Sequence, residues 1–212
     1  MANQSNPKDR LPDKANEYSS LAFHPHNVIL MLLIFSLSMI FITLSGAFVY
    51  NRIQSNLPPI KLPFVFIFNT LLLVGSSAAM LWAKKHYIAD NTQLYKKALL
   101  TTLILSIFFL LLQVIGWRVL LSQNEFSESS NSIYYLYALS GLHFLHVIVG
   151  IPILSWFLWQ AQKCMVEPVS VLVYFSDPAK QLKLRLLSIY WHFLDILWLY
   201  LVLFFFINYL LQ

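Results

Sequence analysis

Cysteine is all but absent. Cys164 is the single one in 212 residues, so no disulfide can form within the chain and no redox framework exists. Charge is scarce as well: 11% of the residues are Asp, Glu, Lys or Arg, against 58% hydrophobic and 16% aromatic. A soluble domain of this length could not bury so much apolar side chain, and an integral membrane protein is expected. The balance of that sparse charge is basic, with a formal net of +5 and a pI near 9.3. It does not point to nucleic acid, because the Lys and Arg fall in short clusters between apolar runs, where lipid head groups and membrane topology account for them. Residues 1–22 lack the basic, then apolar, then small-residue layout of a cleaved signal peptide and read as a disordered tail. No internal repeat and no segment able to fold as a soluble domain is visible.

What is present is a series of five long apolar runs, at about 28–50, 64–83, 98–121, 133–159 and 186–211. At 1.5 Å per residue, each of these runs spans, or comes near, a hydrocarbon core of ~30 Å. The expected fold is therefore all-α, a polytopic bundle of five transmembrane helices over residues 23–212. Pro58, Pro59 and Pro63 mark a turn after the first run, and Lys84–Lys97 reads as a short basic loop. Gln160–Arg185, broken by Pro168 and Pro178, is the longest connection. Grouping the tail with the two basic connections puts eleven of the fourteen Lys and Arg on one side, leaving Arg52, Lys61 and Arg118 on the other. The positive-inside rule then places the N-terminus in the cytoplasm and the C-terminus outside.

The polar residues within the apolar runs are the candidates for function. Asp195 is the one carboxylate deep in such a run, and His192 precedes it by three residues, which puts both on one helical face. A charged group near the bilayer centre costs roughly 2.5–3.5 kcal/mol on insertion scales, so Asp195 is expected to face other helices and to hold a partner or a proton. His143 and His146 also stand three apart. That spacing suits a haem or metal in principle, yet bis-ligation needs one His on each of two helices at matched depth. Polar contacts from each histidine to a neighbouring helix are the reading preferred here. His24 and His26 flank a proline with no Cys or carboxylate beside them and read as a solvated turn. Gly75–Ser76–Ser77–Ala78–Ala79 is a stretch of small residues that lets another helix approach, and Gln113 can hydrogen-bond between helices.

Three stretches together resemble a known family. LSGLHFLHVIVG at Leu139–Gly150 is similar to the Thr-Gly-Phe-His-x-x-His-Val-x-x-Gly pattern of haem–copper terminal oxidase subunit III. YWHFLDILW at Tyr190–Trp198 resembles that family's Tyr-Trp-His-Phe-Val-Asp-x-x-Trp, and NTLLLVGSS at Asn69–Ser77 its Asn-Thr-x-Leu-Leu-x-Ser-Ser. The resemblance runs from about Val28 to the end and implies a five-helix form without the two leading helices of the seven-helix members. It implies a multi-pass, non-catalytic subunit of a cytochrome c or quinol oxidase in the bacterial inner membrane. Such a subunit packs on subunit I, binds phospholipid, and supports proton uptake and durable turnover. Haem and copper are then expected in the partner, and no catalytic, cofactor or metal ligand in this chain. Asn69, Thr70, Ser76, Ser77, His143, His146, Trp191, His192 and Asp195 fall on the family's motif positions as structural or lipid-binding residues.

Two departures stand out. Where the family often carries a carboxylate after a serine in its first aligned helix, Leu37 follows Ser36, and where it often has Gln-x-x-Glu, Gly116 follows Gln113. A role tied to those carboxylates does not transfer. A nitric oxide reductase accessory chain is a related alternative. An independent proton or solute carrier using His192 and Asp195 is an alternative of another class, against which stands the lack of inverted repeats and of paired broken helices.

Overall fold

A computed structural model describes residues 25–55, 62–122, 130–165 and 167–211. Within them the chain forms six helices: α1 (Pro25–Ser55), α2 (Phe64–Ile88), α3 (Thr92–Ser122), α4 (Ser130–Cys164), α5 (Pro168–Ser176) and α6 (Pro178–Leu210). All but α5 are long and apolar enough to cross a membrane, and no strand occurs among the described residues. The five apolar runs of the sequence are thus five helices. His24 and the tail at 1–22 lie outside the described residues, whereas His26 is in the first turn of α1.

The helices outrun the hydrocarbon, and this changes two of the connections expected from sequence. The basic stretch Lys84–Lys97 is mostly helix, with only Ala89–Asn91 between α2 and α3. Asp90 takes a left-handed φ of 53° there, a conformation Asp tolerates better than most residues. Asn91 then caps α3, its side chain accepting from Leu94 N at 3.1 Å. The connection before the last span is likewise structured. Asp177 caps α6 by accepting from Ala179 N at 2.9 Å, and Pro178 stands in the first turn, where its missing N–H is no loss. Pro178 therefore starts the helix instead of breaking the chain, and α6 begins eight residues before its apolar run. Short α5 is pinned by Tyr87, whose hydroxyl donates to Tyr174 O at 3.2 Å, and by Lys180 over the Tyr174 ring. Burial pushes the Tyr174 phenol above its ordinary range.

Packing is densest between α2 and α3, which form a hairpin; α6 lies against α2 and α4, and α1 sits at the edge on α4 and α6. Two apolar clusters fill the interior. One holds Phe41, Phe48, Phe66, Phe109 and Trp198, and the other holds Met80, Tyr87, Tyr95, Leu154 and Trp191. At two glycines a neighbouring helix leaves no room for a side chain: a Cβ on Gly150 of α4 would lie 2.9 Å from the Trp191 ring of α6, and one on Gly116 of α3 would lie 3.2 Å from Phe66 of α2. Pro152 sits inside α4 without ending it. Lost backbone bonds of this kind are tolerated in packed membrane helices.

Candidate functional site

Four of the motif residues lie on α2 at two spacings of seven. Seven residues are close to two helical turns, so Asn69 and Ser76 share one face and Thr70 and Ser77 the next. The first pair meets α3. Asn69 Nδ2 donates to Gln113 Oε1 at 2.9 Å, and the Ser76 and Ser106 hydroxyls are 3.4 Å apart. The second pair meets α6, where Trp191 and Trp198 also stand seven apart. Trp198 Nε1 donates to Thr70 Oγ1 at 3.2 Å, while Trp191 Nε1 reaches Ser76 Oγ at 3.0 Å. Paired indole N–H and hydroxyl groups thus staple α6 to α2 at two depths, in surroundings where an unmet donor has no water to turn to.

Asp195 lies close to the middle of α6, roughly 23–26 Å from its two ends at 1.5 Å per residue. It is buried, with 6% of its surface exposed. Its Oδ2 is 4.0 Å from His192 Nδ1, so the two share a face as their spacing requires but do not bond directly. Ser77 joins them from α2. Its Oγ lies 2.7 Å from His192 Nδ1 and faces the Asp195 carboxyl. Asp195 Oδ2 and His192 Nε2 are both buried and have no hydrogen-bond partner among the described residues. These two side chains line a groove of about 440 Å³ between α2 and α6, otherwise walled by Leu73, Val74, Ala78, Leu81, Ile196 and Leu199.

The α4 histidines are arranged differently from the sequence expectation that each contacts a neighbouring helix through its ring nitrogens. His146 Nδ1 lies 2.6 Å from Leu142 O, one turn back in its own helix; it is the backbone carbonyl of His146 that reaches across, accepting from Tyr190 of α6 at 3.0 Å. His143 is fully buried against the rings of Phe109 and Trp198, with centroids 5.7 and 5.1 Å away, and neither ring nitrogen has a partner among the described residues. The aromatic walls supply contact area but no acceptor. His143 and His192 therefore face different neighbours, and among the described residues no three His, Cys, Asp or Glu side chains come together as a metal set would.

Both positions where the family pattern carries a carboxylate are occupied by packing. Leu37 is buried, and the Phe66 ring lies over Gly116 and stacks on Trp198 with 12° between planes.

The sequence profile of the family described as Cytochrome c oxidase subunit III matches residues 22–209. This chain belongs to that family. It is 29% identical over 151 residues to cytochrome c oxidase subunit 3 of Papio hamadryas, an overlap covering 68% of this chain and 49% of that protein. The corresponding proteins of Pongo pygmaeus and Homo sapiens are 30% and 28% identical over the same length and the same shares. The chain thus spans about half the length of the curated relatives it matches.

Ser106 of the subunit III seam lies outside the three motifs, while Tyr190 and Gly150 stand at the ends of two of them without being candidate site residues, yet each of the three joins two helices. None differs in type from many hydroxyls, aromatics and small residues elsewhere in the apolar runs. At the opposite end from α5, Arg52 of α1 donates to the Asn208 carbonyl and, at 3.0 Å, to its side-chain oxygen, a contact invisible before the pairing of α1 with α6 is known.

Proposed function

We propose that this chain is a non-catalytic accessory subunit of a haem–copper terminal oxidase, carried as a multi-pass protein in a bacterial inner membrane and packed against the subunit that holds haem and copper. The observation that carries the reading is the α2–α6 seam. Asn69, Thr70, Ser76, Ser77, Trp191, His192 and Asp195 all meet at helix–helix contacts, and Asn69, Thr70, Ser76, Ser77, Trp191 and His192 hydrogen-bond there to neighbouring helices. Family membership supports the same assignment. In this reading the chain holds no haem or metal of its own, and its effect on proton uptake and durability is exerted through the partner. Phospholipid occupies apolar grooves beside α1, one of them lined by Leu30, Met31 and Phe35 with Arg185 among its walls, a cation suited to a lipid phosphate. The N-terminus is cytoplasmic, following the basic clusters.

Co-purification from mild detergent tests the proposal. The tagged chain should bring down a larger haem-bearing polypeptide at fixed stoichiometry, and the chain separated from it should show no Soret band and no bound copper. A lone chain that catalyses ion or solute flux in vesicles would favour the carrier reading instead.

A further inference from the structure

Among the described helices α5 alone is too short to cross a membrane, and its two sides differ. Tyr174 is turned inward, 1% exposed and held through its backbone carbonyl by Tyr87, whereas Leu172 and Val173 are 67% and 62% exposed. At 3.6 residues per turn, exposed Ser176 falls on the same outward side as that aliphatic pair.

The place of α5 names what covers this side. Only residues 165–167 and Asp177 separate α5 from α4 and α6, so it stays at the membrane surface where those two spans end. Lys180 Nζ of α6 stands 4.1 Å from the centre of the Tyr174 ring, and Lys180 is fifteen residues from Asp195, roughly 22 Å at 1.5 Å per residue. With Asp195 at the midplane, that depth lies outside a ~30 Å hydrocarbon core and within the head-group layer of a membrane ~40–45 Å thick. On α4 the exposed Trp156 and Trp159 mark the same boundary, and Lys163 Nζ lies 5.0 Å from the Trp159 ring centre. A cleft of about 510 Å³ joins Lys163 to α5, with Glu167, Ser170, Val173 and Lys180 also in its walls.

Charge at this end fits an anionic surface. Eight Lys and Arg fall within 84–97 and 163–185, against Asp90, Glu167 and Asp177, the last of which lies 3.8 Å from Lys180 Nζ. A lipid leaflet accepts both kinds of side chain, aliphatic groups at the acyl boundary and ammonium groups at the phosphates.

We propose that α5 is an interfacial helix that lays Leu172 and Val173 into the leaflet at the basic end of the bundle, with the phosphate of an anionic phospholipid in the cleft between Lys163 and Lys180. This face is separate from the grooves beside α1. The inference requires only that the spans cross a membrane, whatever protein they join there.

The test uses the full chain, together with the polypeptides that co-purify with it, in lipid vesicles. In a Cys164→Ser background, a fluorophore on Leu172→Cys or on Ser176→Cys should be quenched by phospholipid brominated near the glycerol end of its acyl chains, and shielded from aqueous iodide. Iodide quenching as strong as that of the same fluorophore on free cysteine would put this face in water and overturn the inference. Shielding from both quenchers would mean that protein covers α5, and would overturn it equally. Brominated phosphatidylglycerol diluted in plain phosphatidylcholine should quench at least about twofold more than brominated phosphatidylcholine at the same dilution, well under what one cation near a lipid surface supplies. Lys163→Gln combined with Lys180→Gln should bring that ratio to one, while quenching in fully brominated vesicles stays unchanged. A ratio of one before those substitutions, or a ratio untouched by them, would overturn the head-group contact.

Discussion

At the scale of single residues, the fit around Trp191 is the tightest constraint. Its indole N–H is committed to Ser76 on α2, so the ring cannot swing away, and its far edge lies where a Cβ on Gly150 of α4 would come within 2.9 Å. Gly150→Ala should therefore force a shift of helix or ring at a cost of about 1–3 kcal/mol. Gly46→Ala, at a position with nothing within 4 Å of the added carbon, should be near neutral. Thermal midpoints of the detergent-solubilised complex would rank the two. Equal midpoints would mean that α4 and α6 are not held as close as Gly150 requires. A complementary loss is expected from Ser76→Ala, which leaves the buried Trp191 N–H without its acceptor and should cost about 1–3 kcal/mol by the same measurement.

At the scale of helices, α2 shows how two residues seven apart become one function. Asn69 answers α3, Thr70 and Ser77 answer α6, and Ser76 answers both, so a helix only 25 residues long serves two neighbours without any strong amphipathic stripe. Gly116 extends the same logic to α3. The Phe66 ring fills the space that a side chain at 116 would need, and it passes that packing on to Trp198. Gly116→Glu, which introduces the carboxylate of the family pattern, should displace Phe66 and bury an unpaired charge. Loss of several kcal/mol and a lower yield of folded chain in membranes are expected. A Gly116→Glu chain with wild-type yield and thermal midpoint would show that this end of α3 has room not evident in the packing. The spans and the polar motifs could be read in the sequence because length, apolarity and a lone carboxylate such as Asp195 are local signals. Helix starts could not, since Pro178 marks a break or an N-terminus equally well until Asp177 is seen capping it. The bonding of His143 and His146 was hidden for another reason: a histidine's spacing fixes its face, while the acceptor it meets depends on which rings and carbonyls the neighbouring helix brings to that depth.

At the scale of the whole molecule, the charges that flank the helices bear on orientation. Lys84, Lys85, Lys96 and Lys97 sit on the facing ends of α2 and α3, and Lys96 Nζ donates to Met165 O just past the end of α4, 3.0 Å away. That bond brings the basic end of the α2–α3 hairpin beside Cys164, so the two clusters counted separately along the chain occupy one end of the bundle. Each Lys or Arg held there resists transfer across the membrane, which is the physical content of the positive-inside rule. Cys164 is partly exposed and, with Cys the rarest residue here, is a clean chemical marker for that end. A membrane-impermeant maleimide should leave it unmodified in intact cells and react with it in inverted membrane vesicles, with Cys164→Ser abolishing the vesicle signal. Labelling from outside intact cells would invert the orientation proposed for all five spans at once, because a hairpin with an intervening turn of three residues leaves α2 and α3 no way to cross the bilayer independently of each other.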